Sequence, residues 1–184
     1  MTISKAEGSR ALRSALVFTF RHWATRKWLV ASIALAISLA TLTEIFVPLF
    51  AGRLIDALAA DRRDMDAAVR AFLSMAGLGF AMVVLRHLAW WGVVPMTLSI
   101  MSRVARGAFE RVQRFSTDWH SNSFAGSVVR KITRGMWALD TLDDVLLLSL
   151  LPSAIVLVGT MPLLSYHWPV MGLVMAIGAT VYVA

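Results

Sequence analysis

The sequence predicts an all-α, polytopic membrane protein, and three observations lead to this fold class. First, the 184 residues are 58% hydrophobic and only 16% charged, with a mean hydropathy of +0.69, which is too apolar for an ordinary soluble domain. Second, several apolar stretches approach or exceed the length of a transmembrane helix. Third, the basic residues are concentrated before and between these stretches, as in loops that remain in the cytoplasm.

Residues 1–27 are expected to form a helix that lies on the cytoplasmic leaflet. They hold six basic residues and one acidic residue. Their apolar residues recur at the spacing of one helix face: Leu12, Leu16, Val17, Phe20 and Trp23. A basic helix with one apolar face is typical of the membrane interface. The alternative is a basic leader without regular structure.

We predict about four membrane spans in the rest of the chain, at roughly 28–50, 71–95, 145–163 and 170–184. About 20 apolar residues cross the roughly 30 Å of hydrocarbon in a bilayer. Two prolines and a polar-aromatic segment divide the uncharged C-terminal stretch into the last two spans. The fourth span is still apolar at the final residue, and we expect it to be truncated there.

The basic segment between the second and third spans is expected to project into the cytoplasm as a helical hairpin. Residues 102–135 carry seven basic and two acidic residues, whereas the loop predicted at 51–70 carries four of each. The first segment should therefore lie inside and the second outside. Over 71–115 the only clear helix breaker is Pro95, and a continuous helix there would measure roughly 67 Å. Because that is about twice the hydrocarbon thickness, we place an intracellular loop at about 102–139.

Short motifs in and around this hairpin resemble those of one membrane-protein family. The tip reads Ser116-Thr-Asp-Trp-His-Ser-Asn-Ser-Phe-Ala-Gly126, and the basic run Val129-Arg-Lys-Ile-Thr-Arg-Gly135 follows it. The first span ends in Phe46-Val-Pro-Leu-Phe-Ala-Gly-Arg-Leu-Ile-Asp56, and Leu151-Pro152 lies in the third. In order and spacing, these motifs resemble the N-terminal portion of an ABC exporter transmembrane domain. The Arg134-Gly135 ending looks nearer to the mitochondrial-type and heavy-metal branch of that family.

The resemblance implies a coupling role for the tip of the hairpin. In this family the tip is a short helix that sits in a groove of a nucleotide-binding domain. The corresponding residues are Ser116, Thr117, Asp118, Trp119, His120, Ser121, Asn122, Phe124 and Gly126. The residue types suit such an element, because a Ser or Thr can cap a short helix and a Trp can anchor in a partner's pocket. The alternative is an ordinary cytoplasmic loop whose Trp119 lies among the lipid headgroups.

The same resemblance implies the partners and the source of energy. The partners are the lipid bilayer, a nucleotide-binding domain and a second protomer, in a homo- or heterodimer. ATP and Mg²⁺ would bind to the nucleotide-binding domain, because this chain has no Gly-x-x-x-x-Gly-Lys-[Ser/Thr] motif and is expected to hold no cofactor. We expect a partial, multi-pass subunit that is inactive alone, in the bacterial inner membrane with a cytoplasmic N-terminus.

Two charged residues fall inside the predicted spans, Glu44 and Arg86. Charges in the hydrocarbon region are costly and are therefore functional candidates. Three interpretations are open: the two residues line a substrate pathway, pair with each other, or reach to the interface. His87, Trp90 and Trp91 lie within about one turn of Arg86. They are candidates either for an aromatic cage around a cation or a sugar or for interfacial anchoring and helix packing.

No residue pattern indicates catalysis, a metal site or nucleic-acid binding. The chain has no cysteine, and its four histidines lack metal-ligand spacing. The net charge of +7 is assigned to membrane orientation. Asp140, Asp143 and Asp144 share a helix face, but no nucleophile accompanies them, so we expect a solvated face. The alternative to a transporter is a self-contained small membrane scaffold or a channel subunit.

Overall fold

The computed structural model describes residues 5–59, 64–116 and 125–183, which are helical apart from short connections. The helices are α1 (Lys5–Thr25), α2 (Lys27–Ala59), α3 (Met65–Gln113), α4 (Ala125–Asp144), a π-helical segment (Val145–Leu150), α5 (Leu151–His167) and α6 (Pro169–Val183). Within these described ranges there is no strand, and three helices are long and apolar enough to cross a membrane. The predicted all-α membrane fold is confirmed.

The N-terminal helix α1 is regular over Lys5–Thr25, so the alternative of an unstructured leader is wrong for these residues. One face of α1 is covered by other parts of the chain, and Thr19 and His22 are buried there. The connection to α2 is tight, since the backbone N–H of Arg26 donates to the carbonyl of Trp23 at 3.0 Å. The position of α1 on the cytoplasmic leaflet remains a prediction.

Helix α2 is longer than the first predicted span and replaces part of the loop expected at 51–70. It continues through Pro48 and ends only at Ala59. The prediction of a loop from residue 51 was wrong for residues 51–59. The charged residues after Phe50 mark where a helix leaves lipid, but charge alone does not end a helix. Apolar helices tolerate a proline when the freed carbonyl finds another partner. The next helix begins after Asp64, whose Oδ1 accepts from the backbone N–H of Ala67 at 2.9 Å, as an N-cap does.

Helix α3 is a single element of 49 residues that runs through Pro95. At 1.5 Å per residue it is about 74 Å long, more than twice the roughly 30 Å of hydrocarbon. The prediction of one continuous helix is confirmed. At its C-terminal end the chain tightens, because the N–H of Arg114 donates to the carbonyl of Arg111 and that of Phe115 to Val112.

The return leg is also continuous, and it contains one change of winding. The helical path Gly126–Tyr166 has 41 residues, which corresponds to about 62 Å. Between α4 and α5 the backbone widens into the π-helical segment, directly before Pro152. A proline ring collides with the carbonyl four residues earlier in an α-helix, and a wider turn relieves that collision.

The break between α5 and α6 falls where the sequence predicted a turn. Trp168 has φ −142° and ψ 88°, because a residue before proline is disfavoured in the helical region. Pro169 then starts α6, a position that suits its missing N–H. The two helices approach closely, since a Cβ on Gly172 would lie only 2.9 Å from the Cα of Ser165. Glycine is required at this crossing.

The chain forms two packed units. The first combines Met1–Ile33 with Trp90–Leu148, and the second combines Ala34–Ala89 with Ser149–Ala184. The buried apolar residues of the first unit are Ile33, Val93, Met96, Ile100 and Leu147. Those of the second are Ile37, Ala40, Ala68, Ala71 and Ala89. Most large apolar side chains elsewhere are exposed, as expected of surfaces that face lipid or other helices.

Candidate functional site

The two charged residues of the predicted spans pair with each other. The Arg86 Nη2 atom on α3 donates to Glu44 Oε2 on α2 at 2.7 Å. Of the three interpretations left open by the sequence, the structure therefore shows the ion pair. Pairing lowers the cost of placing each charge in lipid. Both side chains are still about half exposed, 57% for Arg86 and 54% for Glu44, so the pair remains accessible from outside the chain.

The residues that follow Arg86 do not enclose a ligand by themselves. The Nδ1 atom of His87 lies 2.9 Å from the carbonyl oxygen of Val83, one turn earlier on the same helix. Trp90 is 55% exposed and Trp91 is 78% exposed, so the described residues leave more than half of each side chain uncovered. A role for His87, Trp90 and Trp91 in a substrate pathway stays a prediction.

The predicted coupling segment is bounded by two described helices. Helix α3 ends at Gln113 and α4 begins at Ala125. Of the predicted coupling residues, Ser116 and Gly126 are described, whereas those at 117–124, including Trp119, lie outside the described residues. The intracellular position of this loop and the role of the segment both stay predictions.

A buried polar cluster in the first unit was missed by the sequence analysis. The indole Nε1 of Trp23 on α1 donates to Asp143 Oδ1 on α4 at 3.1 Å, across 120 positions of sequence. Asp143 is only 2% exposed and His22 only 3%. Among the described residues, Asp143 Oδ2 and both ring nitrogens of His22 have no hydrogen-bond partner. We name Trp23, Asp143 and His22 the α1–α4 cluster.

The cluster corrects the expectation of a solvated acidic face on α4. Asp140 and Asp144 are half-buried, and Asp143 is buried. The physical reason is that α1 packs against α4 at this position and covers the carboxyl group. The sequence carried only a weak signal, namely three acids on one face and a tryptophan able to donate a hydrogen bond.

Burial shifts the protonation of the acids, which precede the uncharged segment that begins at Val145. Burial raises the pKa of Asp143 to about 6; the Trp23 hydrogen bond opposes this, and the charges of Asp140 and Asp144 reinforce it. Burial, followed by the charge of Asp140, also raises the pKa of Asp144. Close to neutral pH, Asp143 therefore exchanges between neutral and ionised forms.

The pKa of His22 moves in the opposite direction. Burial is the largest cause of its decrease, and the positive charges of Arg103 on α3 and of Arg26 add to it. Its imidazole is therefore neutral over a wider range of pH than that of an exposed histidine. Both titratable members of the α1–α4 cluster favour their neutral forms.

Comparison with known proteins identifies the family. The helix lengths and apolar surfaces define a multi-pass membrane protein. The family model described as the ABC transporter transmembrane region matches residues 29–184. The chain therefore belongs to the ABC transporter transmembrane-region family, and the resemblance found in its motifs is confirmed. No curated protein sequence matches the chain.

Family membership supports the kinds of partner expected from the sequence. Transmembrane regions of ABC transporters work with nucleotide-binding domains and dimerise. Transport across a membrane is thus the general function of the family.

Proposed function

We propose that this chain is part of the transmembrane subunit of an ATP-driven exporter, and that its first intracellular loop couples it to a nucleotide-binding domain. The observation that carries the proposal is the length of α3. It extends about 74 Å and is followed, after a short interval, by a second long helical path in Gly126–Tyr166. Two rods that exceed the bilayer thickness support a tip that projects from the membrane.

The proposed mechanism is leverage by these rods. A nucleotide-binding domain, which would bind ATP and Mg²⁺, moves the tip when it closes. Because α3 and the return leg are continuous, a displacement at the tip is transmitted into the membrane and switches the cavity between inward- and outward-facing states. The positive charges of 102–135 support a cytoplasmic tip and a cytoplasmic N-terminus, in a bacterial inner membrane.

The Glu44–Arg86 pair is the proposed polar element of the substrate pathway, together with His87, Trp90 and Trp91. An accessible ion pair can exchange its internal bond for bonds to a charged substrate, which recovers part of the cost of desolvation. The self-contained scaffold or channel subunit is not proposed, since the family match covers residues 29–184.

The test is a Trp119→Ala change in the complete transporter in proteoliposomes. ATP hydrolysis is measured together with the ATP-dependent change in reactivity of a cysteine introduced at the exposed Leu98. Removal of an anchoring tryptophan typically costs about 2 kcal/mol or more at an interface. We therefore expect ATP hydrolysis to persist while the ATP-dependent change at position 98 falls several-fold.

A matched control uses a second tryptophan of the predicted intracellular loop. Trp137 on α4 is 61% exposed and lies outside the proposed coupling segment. Trp137→Ala should keep both activities. Unaltered coupling in Trp119→Ala, or an equal loss in both variants, would remove the role assigned to the tip.

A further inference from the structure

The α1–α4 cluster joins two helices that are far apart in sequence. The hydrogen bond from Trp23 Nε1 to Asp143 Oδ1 spans 120 positions at 3.1 Å. Thr19, one turn before Trp23, is only 2% exposed. Because Thr19, His22 and Asp143 are all covered, this contact excludes water. It fixes one face of α1 against the C-terminal end of α4.

The chemistry of the contact depends on the charge of Asp143. An ionised, buried carboxylate with one neutral donor is poorly compensated, because its second oxygen lacks a partner among the described residues. A neutral carboxylic acid can keep Oδ1 as the acceptor for Trp23, and its burial costs much less. Protonation therefore favours the state in which α1 is packed on α4.

We propose that Trp23 and Asp143 form a protonation-sensitive brace, which holds α1 against α4 more firmly when Asp143 is neutral than when it is ionised. The charged groups around this contact favour the neutral forms of Asp143 and His22. On α4, the carboxylates of Asp140 and Asp144 disfavour a further negative charge. On the side of α1, His22 is kept neutral by its burial and by the nearby Arg26 and Arg103.

The direction of the pH effect follows from these shifts. The pKa of Asp143 is about 6 in the packed state against 3.8 for a free carboxyl, so the stabilisation is full below pH 3.8 and is lost as pH rises to about 6. His22 has a lowered pKa, so packing of α1 also weakens when acid protonates this histidine. As the pH falls, the two groups therefore act in opposite directions, Asp143 strengthening the packing of α1 and His22 weakening it.

The brace bears on the proposed function because α4 is the return leg from the intracellular tip. Holding α1 against α4 restrains the C-terminal end of α4, and the weaker packing of α1 above about pH 6 relaxes that restraint. This consequence rests on the proposed function. The brace itself does not, because it is defined by a contact inside the first unit.

The first experiment observes the indole of Trp23 in the complete transporter, labelled with fluorotryptophan and held in nanodiscs. The ¹⁹F resonance of Trp23 is assigned by its loss in Trp23→Phe. Between about pH 5 and about pH 8, this resonance should shift with a midpoint near 6. Asp143→Asn should abolish the shift, and Asp140→Asn should lower its midpoint because a repelling charge is removed.

Asp66→Asn is the matched control, since Asp66 is an exposed acid on α3 outside the first unit. It should leave the titration of the Trp23 resonance unchanged. A resonance that does not move over this pH range, or one that titrates equally in Asp143→Asn, would overturn the brace.

The second experiment measures how often α1 opens. One variant carries a cysteine at the buried Thr19, and a second variant carries a cysteine at the exposed Ser14. The rate at which a maleimide labels position 19 is divided by the labelling rate at position 14. This division removes the pH dependence of the thiol itself. From about pH 5.5 to about pH 7.5 this ratio, divided by the same ratio measured in Asp143→Asn, should rise about fourfold, because Asp143→Asn retains the opposing titration of His22.

If this quotient is the same at both pH values, the proposal is contradicted. Neither readout requires ATP or transport, so failure of the Trp119→Ala test would leave the brace standing. In the same way, failure of the brace would leave the coupling role of the tip untouched.

Discussion

Replacing Gly92 by alanine should destabilise the chain, whereas the same change at Gly79 should not. Both glycines lie inside α3. A Cβ on Gly92 would lie 2.5 Å from Cγ1 of Ile33 and 3.1 Å from its Cδ1, and Ile33 is only 1% exposed. At Gly79 a Cβ meets no atom within 4 Å. The two substitutions therefore add the same methyl group to the same helix, one against a packed side chain and one into open space.

The expected magnitude follows from the difference between the two variants. Alanine is favoured over glycine in a helix interior by about 1 kcal/mol, and this gain is common to both. Overpacking costs about 1–3 kcal/mol, and it applies only at Gly92. The free energy of unfolding of Gly92→Ala should therefore lie about 1–3 kcal/mol below that of Gly79→Ala.

The assay is denaturant unfolding of the complete protein in mixed micelles, followed by circular dichroism. Equal unfolding free energies, within about 0.5 kcal/mol, would refute the close approach of Gly92 and Ile33. A double change adds a check. Ile33→Ala makes room for the new methyl group, so the combined loss in Ile33→Ala/Gly92→Ala should be smaller than the sum of the single losses.

Two further predictions concern charged residues. Glu44→Gln and Arg86→Gln should each have a free energy of unfolding in mixed micelles about 1 kcal/mol or more below that of the double Gln variant, because each single change leaves one charge unpaired. A double variant that is no more stable than the single variants would contradict the ion pair. The exposed Arg10, Arg13 and Arg21 of α1 should bind anionic headgroups. The free energy of unfolding should be higher in anionic than in zwitterionic bilayers, and changing all three arginines to Gln should reduce this difference by up to about 3 kcal/mol. An unchanged difference would argue against the interfacial position of α1.

The long helices could be predicted because their causes are local. Residues 71–115 contain no strong breaker besides Pro95, and one proline within an apolar helix does not force a break. The end of α2 could not be read in the same way, since its last turns are charged but still helical. Charge indicates the boundary of the lipid, whereas the helix end depends on capping and on the next element.

The polar contacts were less predictable because each depends on a distant partner. Glu44 and Arg86 were recognised as the charges inside the spans, but only coordinates could select the ion pair among three interpretations. Asp143 was assigned to solvent because its burial is produced by α1, 120 positions away in sequence. The coupling role of residues 116–126 was inferred from motifs that resemble those of a family, and it stays a prediction.

The single-residue connection between α5 and α6 has a consequence for how the protein enters the membrane. Trp168 alone separates the two helices, and its N–H donates to the carbonyl of Leu164 at 2.7 Å. No charged residue occurs in residues 145–184, so neither helix carries its own topogenic signal. We therefore expect the pair to insert as one hairpin, with a direction set by the cations upstream on α4. Moving those cations should invert the hairpin as a whole.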